Sequence, residues 1–160
     1  MNVGITGHQE LGNKDCILWL KSEIVKEITY TKYKRGYTCL AKGADQLFAD
    51  IVLKNKIDLV SIIPCEEYEK TFSDFKSLND FKFFLNKSSK IIKMPFEMPT
   101  EAAFFNASKY LITKIDLLIA IWDGKNAKGL GGTADVVQQA KDQNVRILHL
   151  NTINKTSKYI

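Results

Sequence analysis

Arginine is nearly missing from this chain: Arg35 and Arg146 are the whole complement among 23 basic residues. Phosphate and base readout lean on the planar guanidinium, so the scarcity argues against nucleic acid as the partner. Histidine is as rare, with His8 and His149 alone. A transition-metal site would have to be built from carboxylates, so no metal is expected. Cys16, Cys39 and Cys65 are odd in number, far apart and without paired spacing. That excludes a disulfide framework and a zinc cluster. No apolar run approaches the roughly 20 residues of a membrane helix, and a strand pattern begins at residue 2, leaving no room for a signal peptide. The expectation is a cytoplasmic protein with no membrane partner. Internal repeats, low-complexity stretches and an interdomain linker are missing too.

What is present is one domain's worth of ordinary globular sequence. The 160 residues are 45% apolar and 26% charged, with a formal net charge of +5, enough for a core without metal or disulfides and compatible with an anionic ligand. Lys26, Lys32, Lys34, Arg35 and Lys42 interleave with Tyr30, Tyr33 and Tyr37. Such a mixture can bind single strands, but it reads more simply as a solvated helix end and loop.

Periodicity divides the chain into alternating strands and helices. Strands are expected at 2–6, 37–41, 58–63, 90–94, 116–121 and 146–150, the third stopped by Pro64. Ile17, Leu20, Ile24 and Ile28 place a helix over 14–28; Ala44, Leu47, Phe48, Ile51 and Val52 start another at 44. Residues 65–77 read as a loop with a short helix, 78–85 as a helix, 100–113 as a helix facing inward through Phe104, Ala107 and Leu111, and 133–141 as a helix with Thr133 as N-cap. This is the pattern of an α/β fold: one Rossmann-like three-layer domain, a mostly parallel sheet of about six strands with helices on both faces. Residues 1–150 form the domain and 151–160 a polar, frayed tail.

Ligands of such sheets sit where strands end, at the point where strand order reverses. Three loops fall on that edge. After the first strand, Thr6 offers a hydroxyl, Gly7 opens the backbone and His8 can meet a phosphate or base. In Gly43-Ala44-Asp45, a glycine turn precedes an acid suited to a ribose hydroxyl, or to the helix dipole. The third loop leaves the run 116–121 through Trp122, Asp123 and Gly124 and enters a helix through Gly131, Gly132 and Thr133, with Asp135 in its first turn. Strand, glycine loop, helix aims free N–H groups at an anion. Trp122 or Tyr68 is placed to stack on a base.

Together, Gly4-Ile5-Thr6-Gly7-His8, Lys42-Gly43-Ala44-Asp45, the helix carrying Asn106, Asp116 through Gly124 and Gly131-Gly132-Thr133-Ala134-Asp135 resemble the SLOG superfamily, over residues 3–150. That group contains Rossmann-like domains related to the LOG phosphoribohydrolases, the DprA DNA-processing proteins and molybdenum-cofactor carriers. The resemblance implies binding of a nucleotide or an ADP-ribose-like signal, as in anti-phage systems, with Gly7, His8, Gly43, Asp45, Gly131, Gly132 and Thr133 around phosphate and sugar. The phosphoribohydrolases carry Pro-Gly-Gly-x-Gly-Thr-x-x-Glu; aligning Gly132-Thr133 with it places Val136 at the catalytic Glu. Their helical arginine has no counterpart in Phe104-Phe105-Asn106-Ala107-Ser108-Lys109. The first expectation is therefore a sensor, carrier or sequestering protein for a nucleotide-derived small molecule, without a cofactor, with homo-oligomerisation open. The second is an N-glycosidic hydrolase drawing its carboxylate from Asp123, Asp135, Glu101 or Glu67. The third is DprA-like binding of nucleic acid.

Overall fold

The structure, a computed structural model, describes residues 1–125 and 132–160. Its framework is a seven-stranded sheet in the order β4-β3-β2-β1-β5-β6-β7. The strands are β1 Asn2–Gly7, β2 Arg35–Thr38, β3 Asp58–Ile63, β4 Lys90–Lys93, β5 Leu117–Ile121, β6 Arg146–Asn151 and β7 Thr156–Tyr159. The first six run parallel, and β7 pairs antiparallel with β6.

Central strands bury both faces, which is why β5 reads Leu-Leu-Ile-Ala-Ile without a polar break. Leu117, Ile119 and Ile121 join one apolar cluster, while Leu118 and Ala120 join the other. Over the first face lie α1 Lys14–Thr31, α2 Ala44–Lys54 and α3 Phe75–Lys87, contributing Leu20, Ile24, Phe48 and Phe81 among others. Over the second lie α4 Glu101–Ile112 and α5 Thr133–Asp142, contributing Leu111, Ile112, Val136 and Val137. Three layers and helices on both faces are as the periodicity predicts.

Several boundaries differ from the sequence expectation. The second strand occupies Arg35–Thr38 rather than 37–41, because the chain leaves the sheet at Leu40, whose φ is +59°. Helix α1 runs to Thr31 and ends on Lys32 at φ 55°, past the expected stop at 28. Helix α3 starts at Phe75, three residues early, because Asp74 accepts the Ser77 N–H as N-cap. The N-cap of α5 is Gly132, not Thr133, and no side chain caps that end. Residues 151–160 are not simply frayed: Thr156–Tyr159 adds the seventh strand. Glu27 explains its docking. Its buried carboxylate accepts from Tyr33 Oη at 2.6 Å, Thr31 Oγ1 at 3.0 Å and Tyr159 Oη at 2.5 Å. Tyr33 and Tyr37 are buried, so the lysine–tyrosine stretch offers only Tyr30 to solvent as a large ring.

Candidate functional site at the strand-order reversal

After β1 the chain turns to α1 on one face; after β5 it heads for α5 on the other. As β1 and β5 are neighbours, their C-terminal ends open a crevice between the diverging connections. Gly7 pairs with Ile121 at its base, and the His8 N–H extends the ladder by donating to the Ile121 carbonyl at 3.1 Å. A side chain on Gly7 would meet Ala44 Cβ at 2.6 Å and the Ile121 carbonyl oxygen at 2.8 Å. Glycine is there so that α2 and β5 can close on β1.

His8 and Asp123 meet across the crevice. The Asp123 N–H donates to His8 Nε2 at 3.3 Å, and Asp123 Oδ1 lies 3.3 Å from the same nitrogen. These are alternatives: neutral His8 accepts from the amide, while a protonated ring donates to the carboxylate. Oδ1 also accepts from the Lys125 N–H at 3.0 Å, and the Lys125 ammonium stands 3.9 Å from Oδ2. The Lys125 amide first, then the His8 hydrogen bond and charge, hold the Asp123 carboxyl below the usual carboxylate range. Asp123 is thus an ionised acceptor, only partly exposed, at the mouth of the crevice.

Trp122 is tethered on every polar group. Its N–H donates to the Leu150 carbonyl at 3.1 Å, its carbonyl accepts from His149 Nε2 at 2.9 Å, and its indole N–H donates to the Lys125 carbonyl at 2.8 Å. The ring packs 5.2 Å from the His149 ring. Gly124 follows at φ +84°. Asn151 Nδ2 reaches the Asp123 carbonyl at 3.5 Å. His149 and Asn151, not singled out from the sequence, therefore carry the Trp122–Asp123 turn. The signal was their place at the end of β6, the next parallel strand on the same edge.

The Gly43-Ala44-Asp45 turn supports the crevice more than it lines it. Gly43 sits at φ +87°, and a Cβ there would come within 2.3 Å of the Gln9 carbonyl oxygen. The Ala44 N–H donates to the His8 carbonyl at 3.1 Å. Asp45, expected to hold a ribose hydroxyl, is buried; its Oδ2 accepts from Thr38 Oγ1 and the Cys39 N–H, both at 2.8 Å. Burial pushes its carboxyl up to about 6 despite hydrogen bonds from Thr38 and the backbone of Cys39, Ala41 and Leu40. Burial and the Asp45 charge likewise hold the Cys39 thiol well above its ordinary range, leaving it inert.

The other expected residues scatter. Thr6, nearly buried, pairs with Ala120 one step below the crevice. Asn106 turns its amide back to the Ala102 carbonyl at 2.8 Å. Gly132 and Thr133 start α5, whose Asp135 and Val136 N–H groups donate to the Gly132 carbonyl. Gly131 lies outside the described residues. Val136 faces the core at 4% exposure. Glu101 is exposed in the first turn of α4. Glu67 follows β3 and pairs with Lys70 at 2.6 Å. Three strand spacings separate the β3 and β5 ends, roughly 14 Å, too far for Glu67 and Asp123 to flank one glycosidic bond. Tyr68 is buried among Phe72, Phe81 and Phe104 rather than presented to a base. A separate groove of about 470 Å³ lies over α2, between α1 and α3. Among the described residues there is no cluster of His, Cys, Asp and Glu able to hold a metal, and no helix long and apolar enough to cross a membrane.

No family model and no curated protein matches the chain. Solved structures do. DNA processing protein A (DprA) from Streptococcus pneumoniae superposes with a TM-score of 0.67 at 14% identity, over 92% of this chain and 49% of that one. DprA from Helicobacter pylori, described in a single-stranded DNA binding mode, gives 0.69 at 14% identity, over 96% and 70%. TM1055 gives 0.56 at 17% identity, over 91% and 71%. This chain spans about half the length of the S. pneumoniae protein. At these identities the likeness is one of fold. The chain therefore shares the Rossmann-like three-layer fold of these proteins, the architecture expected from its sequence.

Proposed function

We propose that this protein binds a nucleotide or ADP-ribose-derived small molecule at the β1/β5 crevice, as a sensor, carrier or sequestering protein. The observation that carries the reading is the meeting of His8 and Asp123 at 3.3 Å where the chain parts to opposite faces of the sheet. In this reading the ionised Asp123 accepts from ribose hydroxyls. His8, Trp122 and Gly124 line the sugar and base, and the uncapped start of α5 at Gly132 and Thr133 receives phosphate through its amides. A phosphate is kept off Asp123 by charge, so the two ends of the ligand are told apart. Signalling in an anti-phage system is one setting for such a domain.

Thermal denaturation with AMP, ADP, ADP-ribose and NAD tests this. Ligand at a hundredfold excess over its Kd stabilises by about 2.7 kcal/mol. Asp123→Ala and His8→Ala should each abolish the stabilisation while melting like the parent without ligand. No stabilisation by any of the four overturns the reading.

The hydrolase alternative is weaker here. Val136 stands in place of the phosphoribohydrolase glutamate, and the carboxylate that stabilises the oxocarbenium would have to be Asp123 or Asp135 instead. Release of free base, lost in Asp123→Ala, would revive it. Binding of single-stranded nucleic acid is favoured by the likeness to two DprA structures. It requires affinity falling steeply with salt, whereas a small mononucleotide gives a shallow dependence.

A further inference from the structure

Residues 81–94 contain four lysines and no acid, supplying +4 of a formal net charge of +5. They span the second half of α3 and all of β4, the strand at one edge of the sheet. Lys82 pairs with Glu69 at 3.3 Å. Among the described residues Lys87, Lys90 and Lys93 have no acidic partner within 4.0 Å. Lys90, Ile91 and Lys93 are exposed. Pairing with Ser61, whose hydroxyl meets Ser88 at the end of α3, puts Ile91 and Lys93 on the α3 face; Lys90 and Ile92 take the other. Each face of the edge therefore offers one apolar and one cationic side chain. Among the described residues, no strand neighbours the outward backbone groups of β4.

We propose that this edge takes up an extended acidic segment of another protein, added parallel or antiparallel to β4 as an eighth strand. Main-chain hydrogen bonds would anchor it, two carboxylates on opposite faces would meet Lys90 and Lys93, and the two apolar residues between them would cover Ile91 and Ile92. Charge selects this occupant. A second copy pairing through the same edge would set Lys-Ile-Ile-Lys against itself, like charge against like. Single-stranded nucleic acid would want a bare aromatic face, yet within residues 81–94 the one exposed ring, Phe83, is capped by the Lys87 ammonium 5.9 Å from its centroid. Lysines also guard edges against aggregation; a guard alone needs no acidic partner.

The test uses the full chain and a short capped peptide with Glu-Val-Val-Glu at its centre, the pattern complementary to Lys90-Ile91-Ile92-Lys93. Binding should perturb amide resonances of β4 and slow their hydrogen exchange. It should weaken at least about tenfold in the K90E/K93E double variant, and likewise for the same peptide with proline in place of either central valine. Equal affinity of the proline peptide would reduce the contact to charge and overturn strand addition. No peptide binding, oligo-dT binding at β4 in its place, or a dimer that dissociates in K90E/K93E would overturn the proposal outright.

Discussion

Gly43 packs its backbone on Gln9 at φ +87°, and together with the Ala44–His8 hydrogen bond this contact joins the first two loops of the crevice. Alanine there meets both a forbidden backbone region and a main-chain clash that no rotamer relieves. Gly43→Ala should cost at least about 2 kcal/mol, read as a lowered urea midpoint. Asp45, a few atoms away, makes a prediction about pH. Its carboxyl titrates at about 6 in the fold against 3.8 in the open chain. The fold therefore binds its proton more tightly, so the contribution to stability is complete below pH 3.8 and is lost as pH rises through 6. Asp45→Asn has no such titration. The stability of the parent minus that of the variant should fall by up to about 3 kcal/mol between pH 3.5 and 6.5. A constant difference across that window would mean the carboxyl is not desolvated as its burial implies.

At the scale of elements, β7 is held to the body by a hydroxyl on a buried carboxylate. Burial pushes Glu27 up, but hydrogen bonds from Tyr159, Tyr33 and Thr31 and the charge of Arg146 outweigh it and leave its carboxyl below the ordinary 4.5. Tyr159→Phe removes one of those donors, and about 1 kcal/mol should be lost at neutral pH. Hydrogen exchange should quicken along Thr156–Tyr159 and leave β1 and β5 unchanged. The sign with pH is opposite to that for Asp45. A depressed carboxyl stabilises above its open-chain value, so the gap between parent and Tyr159→Phe should close as pH falls below 4.5. Faster exchange throughout the sheet would show that β7 is part of the global unit rather than a docked strand.

For the whole molecule, the strand order matters most. With β1 and β5 adjacent and the helices that follow them on opposite faces, His8 and Asp123 meet at one crevice, and the proposed ligand would run from them to the start of α5. A nucleotide bridging these parts should protect the amides of His8, Asp123 and Thr133 from exchange together. Protection limited to the groove over α2 would place the ligand elsewhere.

Periodicity in the sequence was enough to place the six parallel strands and the helices that cover them, though not the exposed β7, because buried parallel strands must be apolar on both faces and their covering helices on one. It also picked out the glycines, since a close approach or a positive φ admits little else. Which glycines serve packing was not legible: Gly7 and Gly43 look like ligand turns until Ala44, Ile121 and Gln9 are seen against them. Asp45 reads as a ribose acceptor for the same reason, its partners Thr38 and Cys39 being drawn in by the turn at Leu40. His149 and Asn151 acquire their role only because β6 lies beside β5. Local spacing sets what each segment can become, whereas contacts across more than a hundred residues, such as His8 with Asp123, exist only once the strand order has been chosen.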